Sequence, residues 1–260
     1  MSEVEVISEG RIRTIRLTEP VRRNVLSMST LRQLREAILA TPADIGVVII
    51  EADGPVFSAG HDIAEMIDRT PEFYDELFAA CTNMMLSIEQ IPQPVIAKVQ
   101  GPATAAGCQL VASCDLAVAS NDAWFATPGV KIGLFCSTPM VPVSRAVGRK
   151  RAMEMLLTGD PVPAETAADW GLINRAVPAS DLNDEVATLA NKILEFSADT
   201  VGRGKKAFYQ QLDRDVTDAY RTVEPVMAAN AASADAQEGM TAFVSKRQPV
   251  WPGKTLGGES

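Results

Sequence analysis

Two segments, GPVFSAGHDI at 54–63 and GPATAAGCQL at 101–110, join the end of an apolar strand to small residues and the start of a helix. The first N–H groups of a helix have no partner within it, and small side chains leave them open to an approaching atom. In the first segment Asp62 opens the helix, and in the second Gly101-Pro102 breaks the strand before a run of Ala, Thr and Gly. One such turn occurs in many folds. Two of them can aim one backbone N–H apiece at a single carbonyl oxygen, which is the arrangement that stabilises an enolate or oxyanion.

Few side chains compete for a chemical role. His61 is the only histidine, and a ring beside a ligand channel is its ordinary reading. Cys136 and Ser137 follow Gly133-Leu134-Phe135, but a nucleophilic cysteine needs a depressed pKa and a nearby base, and the sequence shows neither. Glu65 and Asp68 lie on the helix after His61, where surface charge is the stronger reading. Lys131 could pair with a substrate carboxylate, although a lysine in a loop is usually solvated. The four cysteines have no CxxC spacing and no metal-ligand partners, so free buried thiols are expected. GxGxxG is absent, and no metal, nicotinamide or flavin site is implied.

The elements that must position these groups alternate. VEVIS and RIRTIRL read as a hairpin around Glu9-Gly10, Ser29 as the cap of a helix to about Ala40, and GVVII at 46–50 as a strand buried on both faces. Phe73, Leu77, Cys81, Met84 and Ile88 recur at helical spacing until Pro92 and Pro94. Strand PVIAKV, a small-residue helix, strand DLAVAS and a short strand at Trp124-Phe125 follow. This is an α/β order, with a mainly parallel sheet and right-handed crossovers. After about Pro139 the strands are expected to cease, leaving helices at 149–158, 163–170, 182–197, 200–211, 215–235 and 237–246.

Of the 260 residues, 47% are apolar and 22% charged, an ordinary globular balance. A net charge of −9 argues against a broad nucleic-acid surface. Basic clusters such as Arg22-Arg23, Arg203 to Lys206 and Lys246-Arg247 could each hold a small phosphorylated ligand. The first residues lack a basic and apolar targeting pattern and no apolar run has membrane-span length, so a soluble cytoplasmic protein is expected, with no membrane partner.

RRNVLS at 22–27, FSAGHDI at 57–63, PVIAKVQGPATAAGCQLVASCDLAVAS at 94–120 and LLTGDPVPAETAADWGLINRAVP at 156–178 resemble the crotonase (enoyl-CoA hydratase/isomerase) superfamily over nearly the whole chain. GHDI, ATAAGCQLVASCD and FATPGVKIGLFCSTP resemble its branch of enoyl-CoA hydratase domain-containing proteins in particular. The resemblance implies a crotonase (ClpP-like) spiral of ββα units with a C-terminal helical trimerisation region, divided as a core at 1–197 and a helical region at 198–260. It implies an acyl-CoA thioester as ligand, with coenzyme A entering as part of the substrate and no further cofactor, and a homotrimer or a dimer of trimers. By resemblance, the backbone N–H groups of His61 and Ala106 form the oxyanion hole. Ala59, His61 and Ile63 line the CoA channel, Arg23 and Leu26 lie near the CoA body, and Phe243 and Lys246 meet its adenine and phosphate end, across a subunit boundary if need be.

Hydratases of this kind use two glutamates, and the matching positions here are Gln109 and Gly129. Gln109 falls one helical turn beyond Ala106 and can face the same pocket, yet an amide exchanges no proton near neutral pH. Gly129 and Ser137 are then acyl-pocket positions. Each general acid or base contributes roughly 10²- to 10⁴-fold, so hydration is doubtful. The reading is an acyl-CoA enzyme, a lyase or isomerase of the kind found in fatty-acid metabolism, acting through the oxyanion hole. The alternatives are a hydratase of unusual mechanism and a non-catalytic acyl-CoA binder.

Overall fold

The computed structural model describes residues 2–252; the end of the expected helical region, 253–260, lies outside the described residues. The strands are β1 (Val4–Glu9), β2 (Ile12–Leu17), β3 (Val47–Ala52), β4 (Val95–Val99), β5 (Ala103–Thr104), β6 (Leu116–Ser120), β7 (Trp124–Ala126), β8 (Val162–Pro163) and β9 (Arg175–Val177). The helices are α1 (Met28–Leu39), α2 (Ile63–Met66), α3 (Pro71–Gln90), α4 (Ala106–Ser113), α5 (Met140–Val147), α6 (Arg149–Thr158), α7 (Ala164–Trp170), α8 (Leu182–Leu194), α9 (Ala198–Gln211), α10 (Val216–Ala231) and α11 (Ala234–Val244).

The large sheet has the order β1-β2-β3-β4-β6-β9, and every pairing in it except the β1–β2 hairpin is parallel. Its centre explains the continuous apolar run at 47–50. Val48 and Ile50 face the core shared with Leu31, Leu34 and Ile38 of α1 and Leu77, Met84 and Ile88 of α3, while Val47 and Ile49 pack under Leu182, Val186 and Ala190 of α8. A strand covered on both faces has no solvent side and therefore does not alternate. A smaller sheet, β5-β7-β8, holds the second of the two small-residue turns.

Three expectations need correction. Ser27, not Ser29, caps α1: its Oγ accepts the Thr30 N–H at 3.1 Å, whereas Ser29 lies inside the first turn and accepts from Gln33 Nε2. Ser27→Ala should lower stability by about 1 kcal/mol, a fall of roughly 2–4 °C in melting temperature. Strands do not cease after Pro139. β8 pairs Val162 with Phe125, and β9 extends the large sheet by pairing Ala176 with Ala119; at two and three residues they are too short to show a period of two. Finally, α5 forms despite Pro142, because a proline in the first helical turn removes an N–H that has no acceptor there anyway.

The helical tail is fastened at a buried cluster around Lys205, and again where Ser197 Oγ bonds Asp235 of α11. Lys205 of α9 donates its three protons to Ile88 O (2.7 Å), Gln93 O (2.9 Å) and Asp115 Oδ2 (2.6 Å). Asp115 also accepts from Tyr209 Oη and the Val95 N–H. Burial lowers the pKa of Lys205 and the Asp115 charge opposes that shift, so the ammonium keeps a full set of partners. Beyond α9 the burial thins, to Asp235 and Ala242 of α11. No residue of α10 is buried, and Tyr220, Met227, Phe243 and Val244 are left exposed.

Candidate active site

The first turn is shaped from the side by residues 23–26. Arg23 and Asn24 both take left-handed backbone conformations (φ 55° and 49°). Asn24, buried, donates from Nδ2 to Asp53 O and Val56 O. The Arg23 carbonyl accepts from the Ala59 N–H, and the Leu26 N–H donates to Gly60 O at 2.8 Å. Gly60 itself sits at φ +87°, so the chain reverses there at no steric cost.

The second turn is tied to the first. The Thr104 N–H donates to Ser58 O and its Oγ1 to Ala59 O, and the Ala105 N–H donates to Ala126 O of the smaller sheet. α4 approaches so closely that a Cβ on Gly107 would lie 2.4 Å from Ser58 O. A Cβ on Gly60 would lie 3.0 Å from the Ala106 nitrogen, which measures how near the two turns come. Among the described residues, neither the His61 N–H nor the Ala106 N–H donates to a protein acceptor.

Ala105 turns the chain into α4 with φ 50° and ψ −118°, a region that favours glycine. Ala105→Gly should relieve strain and raise stability by about 1 kcal/mol, measurable as a melting temperature roughly 2–4 °C higher. An unchanged or lower melting temperature would show that the turn is unstrained.

Both turns open on a cavity of about 480 Å³ lined by Ala59, His61, Ile63 and Ala106 on one side and by the segment from Pro128 to Pro139 on the other. Its lining includes no carboxylate among the described residues; the titratable side chains are His61, Lys131 and Cys136. Burial pushes the Cys136 thiol above its ordinary value, against a smaller opposite effect of a Gly129 backbone hydrogen bond, so it is held as a thiol. Lys131 pairs with Asp160 at 2.8 Å at the exposed rim. Ser137 lines the cavity and bonds only back to Phe135 O.

The two acid positions differ from the sequence reading in an informative way. Gln109 is only 4% exposed and does not line the cavity. Its Oε1 accepts from the Cys81 thiol of α3 at 3.9 Å, so it turns toward the helix packing beneath the site. Gly129 does line the cavity but has no room for a side chain. A Cβ there would lie 2.2 Å from Leu134 O and 2.9 Å from Cys136 Sγ, because the chain folds back with the Leu134 N–H on Gly129 O. Glu65 and Asp68 stay outside the cavity, and Glu65 accepts the Met28 N–H at the start of α1.

The expected CoA contacts divide. Ala59, His61 and Ile63 line the cavity. Arg23 is exposed on the left-handed turn nearby, outside the lining. The Leu26 side chain is fully buried and cannot touch a ligand; it supports the site instead, since its carbonyl faces His61 Nδ1 at 3.2 Å. Phe243, 85% exposed, and Lys246 lie on the tail and do not line this cavity. The sequence missed Phe78 and Met66, which line it from α3 and α2. Phe78 matches the core periodicity of α3 too closely to be singled out. No group of three His, Cys, Asp or Glu side chains among the described residues is placed to hold a metal ion.

The sequence profile of the family described as enoyl-CoA hydratase/isomerase matches residues 8–254. The chain is 49% identical over 243 residues to the rat mitochondrial enoyl-CoA hydratase domain-containing protein 3, covering 92% of this chain and 81% of that protein. The crystal structure of human enoyl-CoA hydratase domain-containing protein 3 superposes with a TM-score of 0.93 at 47% identity, over 96% of this chain and 100% of that one. An enoyl-CoA hydratase from Mycobacterium smegmatis superposes with a TM-score of 0.94 at 45% identity, over 96% and 98%. The mitochondrial names of the rat relative and its mouse and human counterparts overturn the expected cytoplasmic location. A first segment without a targeting pattern was too weak a ground for it.

Proposed function

Because the chain belongs to the enoyl-CoA hydratase/isomerase family, we propose that it binds an acyl-CoA thioester with the carbonyl oxygen between the His61 and Ala106 N–H groups and acts on it through the resulting enolate or oxyanion. One observation supports this reading: two N–H groups without a protein acceptor among the described residues belong to His61 and Ala106, which line one mostly apolar cavity whose described lining has no carboxylate. Donors fixed in a water-poor site stabilise developing negative charge without having to reorganise. Hydration by a pair of acids is disfavoured, since Gln109 turns away and Gly129 is filled against by Leu134 and Cys136. A reaction that needs the hole but not the acid pair, as in a lyase or isomerase, fits better.

The same reading includes assembly of several copies. α10 has no fully buried residue in one chain, and an amphipathic helix that leaves its core normally packs on a neighbour. A trimer would cover these faces and could bring Phe243 and Lys246 of one copy toward the CoA end of another site. Light scattering on the purified protein tests this, a monomer counting against it.

The direct test of binding is vibrational. Butyryl-CoA labelled with carbon-13 at its carbonyl should show a lowered C=O stretching frequency when bound, as two N–H groups polarise it. The lowering should shrink in Ala106→Pro. Absence of binding, or binding with the free-solution frequency, contradicts the reading.

A further inference from the structure

Ser58 lies between the two turns and is fully buried. A hydroxyl taken out of water is costly unless its bonds are replaced. Here they are: Oγ donates to Asn24 O at 2.8 Å and accepts the Gly60 N–H at 3.2 Å. The backbone of the same residue reaches the second turn. Its N–H donates to Pro102 O at 3.3 Å and its carbonyl accepts the Thr104 N–H at 2.9 Å, so that Ser58 pairs with Ala103 as in a parallel sheet. α4 presses on it as well, since a Cβ on Gly107 would lie 2.8 Å from Ser58 Cβ.

These bonds bear on the direction of the first donor. The His61 N–H belongs to the peptide unit that carries the Gly60 carbonyl, and in a planar trans peptide the two point in opposite directions. The Leu26 N–H holds that carbonyl at 2.8 Å, so the His61 N–H is turned away from residues 23–26. Gly60, at φ +87°, has no side chain to restrict it, and glycine takes either sign of φ with equal ease. Leu26 holds its carbonyl and Ser58 Oγ holds its N–H. With both ends held, the rotation between them is fixed.

We propose that Ser58 is a positioning residue of the oxyanion hole, its hydroxyl fixing the Gly60 backbone so that the His61 N–H is aimed at the same oxygen as the Ala106 N–H. The proposal rests on the reading that a thioester carbonyl sits between those two groups. Ser58 is outside the cavity lining and touches no substrate atom; it acts through Gly60. Without Oγ the Gly60 N–H loses its acceptor and the glycine is free to turn, while Ala59, Ile63 and Ala106 still line the cavity.

The test reads the C=O stretching frequency of carbonyl-labelled butyryl-CoA at saturation, with affinity from calorimetry and folding from the melting temperature. In Ser58→Ala the lowering of the frequency should shrink to roughly half, as one donor of the two is no longer aimed. The dissociation constant should rise by no more than about tenfold. Ser58→Cys, whose sulfur is a weak acceptor, should fall between the alanine variant and the wild type. Ser87→Ala controls for the loss of a buried hydroxyl: Ser87 is also fully buried, and its Oγ bonds only Met84 O of its own helix α3. It should keep the wild-type frequency. A wild-type frequency in folded Ser58→Ala would overturn the role of Ser58, as would an equal change in Ser87→Ala. Should the alanine variant not fold, a wild-type frequency in Ser58→Cys would do the same. Wild-type protein that does not bind butyryl-CoA, or binds it at the free-solution frequency, would overturn the reading of the site and this proposal with it.

Discussion

Ala106→Pro is expected to reduce turnover of a CoA thioester by about 3 kcal/mol, on the order of 10²-fold. Proline removes the N–H and places a ring methylene where the carbonyl oxygen would sit. Ala106 is the first residue of α4, a position where proline is well tolerated, so the helix itself should survive. The residue before a proline prefers extended backbone, and Ala105 is already strained. The substitution is therefore best made together with Ala105→Gly and compared with Ala106→Gly, which keeps the N–H. Affinity for the thioester should also fall, since the ring methylene takes the oxygen's place, but less than turnover, because the hole binds the transition state more strongly than the ground state. Equal losses in both variants would point to packing around Ala106 rather than to its N–H.

Gly129→Glu is expected to destabilise the protein and to leave hydration unrestored. The Cβ alone would fall 2.2 Å from a backbone carbonyl, which belongs to a turn closed by the Leu134 N–H and cannot step aside like a side-chain end. Overpacking of this kind costs about 3 kcal/mol, a drop of roughly 6–10 °C in melting temperature. The substitution Gln109→Glu joined to it would add a buried carboxyl beside the Cys81 thiol rather than in the cavity. If the double variant melted normally and hydrated crotonyl-CoA, the site would be a hydratase frame that merely lost two side chains.

Much of the architecture was legible because local signals agreed. GVVII announced a strand with two buried faces, and the spacing of Leu77, Cys81, Met84 and Ile88 announced the long helix beneath the site. The two small-residue turns pointed to one shared centre, and the structure ties them together through Thr104, Ser58 and Ala59. β8 and β9 were hidden because their residues are set by pairing with distant strands. Gln109 misled for a related reason. Helical spacing fixes the direction of a side chain only to within a turn, and a thiol on α3 drew the amide away. The crowding at Gly129 depends on where Leu134 and Cys136 return in space, which no local pattern records. His61 showed its type in the sequence, but its tautomer follows from the Leu26 carbonyl, a contact between turns 35 residues apart.

The central claim is that the protein holds an acyl-CoA thioester in an oxyanion hole without the acid pair that adds water. The most direct measurement incubates concentrated protein with crotonyl-CoA and follows both binding and product mass. Binding with no addition of water beyond the uncatalysed rate is the predicted result. Rapid formation of the hydroxyacyl product, abolished by Gln109→Ala, would contradict it.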